Sequence, residues 1–310
     1  MRVVFMGTPD FAVGTLEALI ASKHQVVGVV TQPDKPKGRG KAMQFTPVKE
    51  VAVAHNIPVY QPIRVRDEAF VEELRNMQPD VIVVVAFGQI LSKEILEIPS
   101  CGCINVHASL LPKYRGSAPI QWVVIDGEKE SGVTTMFMDD GIDTGDMLKK
   151  TVVPLSENET GGSLHDKLAI AGAQLLIETL KDAEEGKLVR TKQKDEESNY
   201  VKMLDKNLGL IDFSKPAIEI ERLIRGLNPW PSAFTGLDGK TLKIWSAKVL
   251  NKEAEGEFGE IVEVTKEDIM VKTGNGILQL KEVQLEGKKR MDTGSFLRGY
   301  QVTKGTILKK

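Results

Sequence analysis

Short apolar segments rich in β-branched residues recur through the first half of the chain, at Val3 to Met6, Val26 to Thr31, Val81 to Ala86, Ile104 to Val106, Val133 to Met138 and Leu148 to Val153. Each is too short for a helix, and amphipathic helical patterns fill the stretches between them. Strands that alternate with helices in this way predict a doubly wound α/β fold with a mostly parallel, Rossmann-like sheet. The run Val81 to Ala86 contains no polar residue, as expected of a strand covered on both faces, and Gly102 to Val106 reads as its neighbour. A longer helix follows. Ser163 and Asp166 have the spacing of a capping box, Leu164, Leu168, Leu175, Leu176 and Leu180 form a helical stripe, and Gly186 stops it.

The pattern then changes. Lys192 to Asn199 is almost wholly polar, which suggests an exposed linker. Beyond it come a helix near Ala217 to Gly226 and short strands at Leu242 to Trp245, Ile261 to Val264, Ile269 to Lys272 and Ile277 to Leu280. With Gly-rich turns between them, these predict a small β-barrel. The expected organisation is a first domain over residues 1–189, a linker over 190–206 and a second domain over 207–310.

A length of 310 residues agrees with two domains. The charges, 41 basic against 43 acidic, exclude a polybasic protein without excluding local basic patches. Residues 207–310 hold 17 basic and 14 acidic side chains, so this part is +3 while the remainder is −5. Two cysteines, Cys101 and Cys103, are too close for an ordinary disulfide and wrongly spaced for a zinc knuckle. His24, His55 and His165 add no metal-ligand spacing, so no metal is expected. The chain runs from Met1 into a strand without a signal pattern, and no apolar stretch reaches membrane-spanning length. A soluble, cytoplasmic protein is expected. No surface stripe demands a dimer, so the expectation is a monomer with no obligate protein partner.

The most informative chemistry lies at Asn105-Val106-His107. Strand side chains alternate with period two, so an amide and an imidazole two residues apart point the same way and can meet one reacting carbonyl. In open parallel sheets ligands bind outside the carboxyl ends of the strands, where this pair falls. Its bland reading is an amide and an imidazole that satisfy buried backbone groups. Asp143, in the Gly-rich loop Asp139 to Gly145, supplies a third polar group. A carboxylate can orient an imidazole and an amide can stabilise an oxyanion, which suits acyl transfer better than hydride transfer. Gly7-Thr8-Pro9-Asp10-Phe11 lacks the further glycines of a dinucleotide loop, and Gly38-Arg39-Gly40-Lys41 is not a Walker A loop. Lys35, Lys37, Arg39 and Lys41 alternate with Pro36, Gly38 and Gly40 in a stretch too broken for helix or strand. It is either a solvated loop or an arm that meets phosphate. Trp230 reads as a packed corner in preference to a base-stacking platform.

Taken together, Asn105-x-His107-x-Ser109-Leu110-Leu111-Pro112-x-x-Arg115-Gly116-x-Ala118-Pro119 and Asp143-Thr144-Gly145-Asp146 resemble the folate-dependent formyltransferases. The resemblance covers nearly the whole chain. Gly7 to Ala12, the insert Gln32 to Lys41, Asn228-Pro229-Trp230-Pro231 and Gly287-Lys288-Lys289 select the branch whose acceptor is methionyl-tRNA of the initiator type. The resemblance implies 10-formyltetrahydrofolate as formyl donor, Asn105, His107 and Asp143 as the catalytic trio, and Ser109, Leu110, Leu111 and Pro112 at the folate site. It further implies a pterin pocket along Phe87 to Leu91, a second domain of oligonucleotide-binding (OB-like) type, and an insert around Arg39 and Lys41 that contacts the acceptor arm. Two other readings stay open at this point: a formyltransferase or formyl hydrolase acting on another amine or on the folate itself, and a non-catalytic tRNA-binding protein.

If the insert meets phosphate, replacing Lys35, Lys37, Arg39 and Lys41 with Ala will weaken tRNA binding and flatten its salt dependence. Each lost contact removes about 0.7 to 0.9 from the log–log slope. Binding titrations across a salt series measure it, and an unchanged slope returns the segment to a plain solvated loop.

Overall fold

Val3, Val4, Phe5 and Met6 are all fully buried, so the first strand runs through the middle of a sheet covered on both faces. The structure is a computed structural model that describes residues 1–37 and 42–309. In chain order its first part comprises β1 (Arg2–Gly7), α1 (Val13–Ala21), β2 (Gln25–Val30), β3 (Lys35–Lys37), β4 (Ala42–Gln44), α2 (Pro47–Ala54), β5 (Val59–Tyr60) and α3 (Glu68–Asn76). There follow β6 (Val81–Val85), α4 (Lys93–Leu96), β7 (Cys103–His107), β8 (Arg115–Gly116), α5 (Pro119–Asp126), β9 (Glu130–Phe137), β10 (Met147–Pro154), α6 (Gly161–Glu184) and β11 (Tyr200–Val201). The main sheet has seven strands in the order β5-β2-β1-β6-β7-β9-β10. From β5 to β7 the pairs are parallel; β9 and β10 are antiparallel additions at one edge. This is the expected Rossmann-like sheet, and its winding direction reverses between β1 and β6.

Two compact units emerge. One takes in Met1–Pro119, Glu130–Pro154 and His165–Val201, the other Ile120–Lys129, Leu155–Leu164 and Lys202–Lys310.

In the first unit, the register pairs Val4 with Ile82 and Ile82 with Cys103, so these side chains share a face. Phe70, Val71 and Leu74 of α3 and Ile95 of α4 cover it. Burial pushes the Cys103 thiol up to about 12, as befits a packing residue. Val106 points to the opposite face, where Gly172 of α6 comes so close that an added Cβ would lie 3.0 Å from the Val106 side chain. The hydroxyls of Thr135 and Thr179 meet there at 2.8 Å. Alternation therefore gives Cys103, Asn105 and His107 one common side and leaves the side covered by α6 to Ile104 and Val106.

Several sequence expectations change. α6 begins one turn earlier than Ser163–Asp166 suggested: Thr160 Oγ1 accepts from Ser163 N at 3.0 Å while Ser163 Oγ accepts from Thr160 N at 2.9 Å, a reciprocal cap. Gly161 and Gly162, poor helix formers, hid that start. The helix ends as expected at Gly186, where Lys187 N bonds Asp182 O and Gly186 N bonds Ala183 O. The polar stretch after it is no free linker. Thr191 exchanges two backbone bonds with Met147, and β11 pairs in parallel with β8. Most of its polar residues are exposed, as expected, but Gln193 is half-buried and bonded within the first unit. Lys35–Lys37 also forms strand after all, paired antiparallel with Ala42–Gln44, a ladder short enough to tolerate Pro36. Arg39 and Lys41, with the side chain of Lys37, lie outside the described residues.

The second unit contains α7 (Ala217–Gly226), β12 (Ala233–Leu237), β13 (Lys240–Leu250), β14 (Ile261–Val264), β15 (Ile269–Lys272), β16 (Ile277–Leu285), β17 (Met291–Asp292) and α8 (Thr293–Gly299). Its antiparallel sheet runs β12-β13-β16-β15-β14, with β17 beside β16. Irregularities at Ile244 to Ala247 bend β13 and help the sheet to curl. Ile220 and Ile224 of α7 close the core against Leu242, Ile261, Val271, Leu278 and Leu280. This antiparallel β domain fits the OB-like expectation, although among the described residues no strand pair joins β12 to β14. Trp230 is 55% exposed, contrary to a packed corner, because the Pro-rich turn carries it outward. No helix among the described residues is long and apolar enough to cross a membrane.

At the end of α6 the Glu184 carboxylate takes an ion pair from Lys23 at 2.7 Å and faces His24 at 3.4 Å. The hydrogen bond from Lys23 is the chief reason that its acidity rises to a pKa of about 2 from the ordinary 4.5. Because the folded value is the lower one, the stabilisation is complete above pH 4.5, erodes below it and is gone once the pH has fallen through about 2. Urea unfolding at stepped pH should show this loss, and Glu184→Gln should remove part of it. Identical acid limbs for the two proteins would show that the cluster adds nothing.

Candidate active site

β7 ends at His107, beside the end of β6, where the chain turns sharply. Ala86 and Gly88 have φ of 46° and 81°, which turns the chain sharply after β6. Thr8 Oγ1 and Gln32 Nε2 both donate to the Phe87 carbonyl, at 3.1 and 3.2 Å. Gln89 Oε1 accepts from Val65 N at 2.8 Å. The segment Phe87 to Leu91 is thereby knitted to the turns after β1, β2 and β5. Phe87 and Leu91 belong to the core, whereas Ile90 is exposed. Gly7 permits the close approach of β1, since a Cβ there would lie 3.0 Å from the Val85 carbonyl.

Asn105 and His107 converge on Asp143. Asn105 Nδ2 donates to Asp143 Oδ1 at 3.3 Å, and His107 Nδ1 lies 3.6 Å from Oδ2. Oδ2 also accepts from Gly116 N at 2.8 Å. His107 is buried, and its Nε2 meets the Tyr114 carbonyl at 2.9 Å. A carbonyl can only accept, so Nε2 carries hydrogen and Nδ1 is the nitrogen turned toward the carboxylate. Asp143 has φ of 55°, a left-handed conformation that costs a non-glycine residue on the order of 1 kcal/mol and requires holding. Gly116, at φ 106°, has no room for a side chain because a Cβ would lie 2.5 Å from the Val201 carbonyl.

Ser109 to Pro112 form the turn that leaves β7. The buried Thr134 hydroxyl donates to Ser109 O at 2.7 Å and accepts from Leu111 N at 3.1 Å, and Lys150 Nζ donates to Leu111 O. Ser109 Oγ turns inward to Lys113 O, and Leu111 is buried with Met136 and Met147. Leu110 and Pro112 are half-buried. The side chains of Ser109 and Leu111 thus build the turn, and Thr134 and Lys150 hold its backbone. Lys35 is exposed and is not brought to the Asn105 cluster. Asp34 beside it is half-buried and bound by Lys49 and Gln61, whose hydrogen bonds hold its carboxyl below the usual range. Among the described residues no group of three or more His, Cys, Asp or Glu is arranged to hold a metal.

This geometry invites comparison with known proteins. The formyl transferase family profile matches residues 1–180, and the formyl transferase C-terminal domain profile matches residues 203–301. The chain belongs to the formyl transferase family. It is 62% identical over 307 residues to a protein of Agathobacter rectalis named methionyl-tRNA formyltransferase, covering 99% of each chain. A protein of the same name from Lachnospira eligens is 61% identical over 313 residues, again with 99% of each covered. Among solved structures, an N-formyltransferase from Helicobacter canadensis in complex with folinic acid and dTDP-3-aminofucose superimposes with a TM-score of 0.69. At 20% identity, with 94% of this chain and 100% of that chain covered, it shares the fold.

Formyl transferase membership makes the chain an enzyme. Parts of its site escaped sequence reasoning. Thr134 is one polar residue within a strand, and nothing in its neighbours marks it as the anchor of the Ser109 turn. Gln193 Nε2 donates to the carbonyls of Asp143 and Gly145, both at 2.8 Å, from the middle of a run that reads as solvent-facing. Arg115 was visible in the motif, but its burial was not. It is 2% exposed, with Nε on Gln193 Oε1 and Nη1 on Asp195 Oδ1, both at 3.0 Å.

Removing the Thr134 hydroxyl orphans Ser109 O and Leu111 N together. Thr134→Val should therefore lower stability by about 1–3 kcal/mol and reduce turnover, while Thr134→Ser keeps both. Equilibrium denaturation compares the three proteins, and a Val variant as stable as the parent would rule out this anchor.

Proposed function

We propose that this formyl transferase moves the formyl group of 10-formyltetrahydrofolate to the α-amine of methionyl-tRNA, preparing the initiator for translation in the cytoplasm. What carries the chemistry is the convergence of Asn105 and His107 on Asp143 at the carboxyl edge of a parallel sheet. The acceptor is supported by full-length identity with proteins named for methionyl-tRNA, including the C-terminal domain. Phe87 to Leu91 would line the pterin, and the turn Ser109-Leu110-Leu111-Pro112 would border the folate through its backbone. Lys35, Lys37, Arg39 and Lys41 would meet the RNA. The catalytic domain is drawn through Val201, because β11 and Thr191 belong to the first unit; the second unit supports the tRNA and no protein partner is required.

The ester of an aminoacyl-tRNA withdraws electrons from the α-amine, so a useful fraction is neutral and nucleophilic near neutral pH. Nitrogen attacks the formyl carbon directly, and no covalent enzyme intermediate is needed. The oxyanion that forms is met by the Asn105 amide and by His107 protonated at Nδ1. Asp143 orients that imidazole and balances its charge. As the bond from carbon to N10 breaks, the proton lost by the amine passes to N10 through water held at Asp143 and His107. Alignment of the two substrates supplies a comparable share of the acceleration.

Asn105→Ala, His107→Ala and Asp143→Ala should each lower kcat by roughly a hundredfold or more, with folate binding retained. Side-by-side assays with methionyl-tRNA, a sugar-nucleotide amine and water as rival acceptors test the rest. Preference for either of the latter two would replace the acceptor proposed, and near-normal turnover in Asn105→Ala would remove the oxyanion role.

A further inference from the structure

We propose that Gln193 is a positioning residue for the formyl transfer, fixing Asp143 through its main chain while Arg115 fixes Gln193. The inference rests on the catalytic reading of Asp143.

The amide of Gln193 is fully used. Its Oε1 accepts from Arg115 Nε at 3.0 Å, and its Nε2 donates to Asp143 O and Gly145 O, each at 2.8 Å. A guanidinium cannot accept, so the oxygen must face Arg115 and the two amide hydrogens must face the two carbonyls. Only one orientation fits. Arg115 is itself immobilised by burial, by Asp195 Oδ1 at 3.0 Å and by the Tyr200 hydroxyl at 3.3 Å. Its neighbour Gly116 donates from the backbone to Asp143 Oδ2 at 2.8 Å. Asp143 is consequently gripped twice from one short strand, at its carbonyl through Gln193 and at its carboxylate through Gly116. A residue at φ 55° between flexible glycines would otherwise relax toward commoner backbone conformations and carry its carboxylate away from His107. Gln193 bonds the Asp143 main chain and not its carboxylate, so its influence on chemistry passes through the loop.

Gln193→Glu places carboxylate oxygen against two carbonyls while keeping a partner for Arg115, and Gln193→Met keeps the length but removes the amide. Both should lower kcat by about 10- to 100-fold, the scale of a small misplacement of a catalytic group. KM for methionyl-tRNA and binding of a folate analogue should stay near those of the parent, while the thermal midpoint falls in Gln193→Met, which orphans Arg115 Nε, so all kinetics are read well below that midpoint. The decisive measurement is a cycle with Asp143→Asn: combined with it, either Gln193 variant should add almost nothing, since the group being positioned is already lost. Gln193→Glu, which keeps a partner for Arg115, and Gln193→Met carry this comparison independently. Parent-like kcat in both variants, losses of kcat matched by equal losses of folate binding, or full multiplication of the losses in the double variant would each overturn the inference. Near-normal turnover in Asp143→Asn alone would instead sink the catalytic reading beneath it.

Discussion

A guanidinium cannot give up its charge inside a protein, and Arg115 is buried almost completely. Its hydrogen bonds must therefore be supplied by the chain: Nε and Nη1 find Gln193, Asp195 and Tyr200, while Nη2 is buried without a partner among the described residues. That requirement draws residues 191–201 back onto the first unit, where Tyr200 and Val201 pair with Arg115 and Gly116. The same pairing leaves the Gly116 amide facing the Asp143 carboxylate and leaves no space for a side chain at Gly116. The position of the Asp143 carboxylate is tied to the residues that partner one buried cation.

The sheet does the complementary part. Its parity sets Asn105 and His107 on one side of β7, and the winding changes direction nearby, between β1 and β6. Thr134, across the strand from His107, turns the outgoing chain with a hydroxyl that both donates and accepts. Rigid strands thus carry the amide and the imidazole, whereas the carboxylate arrives on a loop that has to be tied. Such a division is common where function rests on loops positioned by a scaffold.

Most of the fold could be read from the chain because the signals were local. β-branched runs marked the strands, the leucine stripe marked α6, and Gly186 marked its end. The convergence of Asn105 and His107 was legible from strand parity, and the Gly-rich acidic loop singled out the Asp143 that they meet. What could not be read was set by distant partners. The polarity of Lys192 to Asn199 looked like solvent exposure, yet Gln193 serves carbonyls 48 and 50 residues away in sequence. Leu111 turned inward for the same kind of reason, packed with Met136 of β9 and Met147 of β10. The start of α6 was obscured by Gly161, whose Cβ would collide with the Gly226 carbonyl, so packing outweighed helix propensity.

The partners of Arg115 are separated from it by 78 to 85 residues of chain. On a ribosome adding about 5–20 residues per second, they follow it by roughly 4 to 17 seconds. During that interval β1, β2, β6 and β7 have already been made, and the parallel core can begin to assemble. The seat of Asp143 cannot, because the segment that clamps its loop does not yet exist. Birth of the sheet and fixing of the Asp143 loop are separate events in the life of each molecule, and the second waits for a stretch that resembles a mere tether.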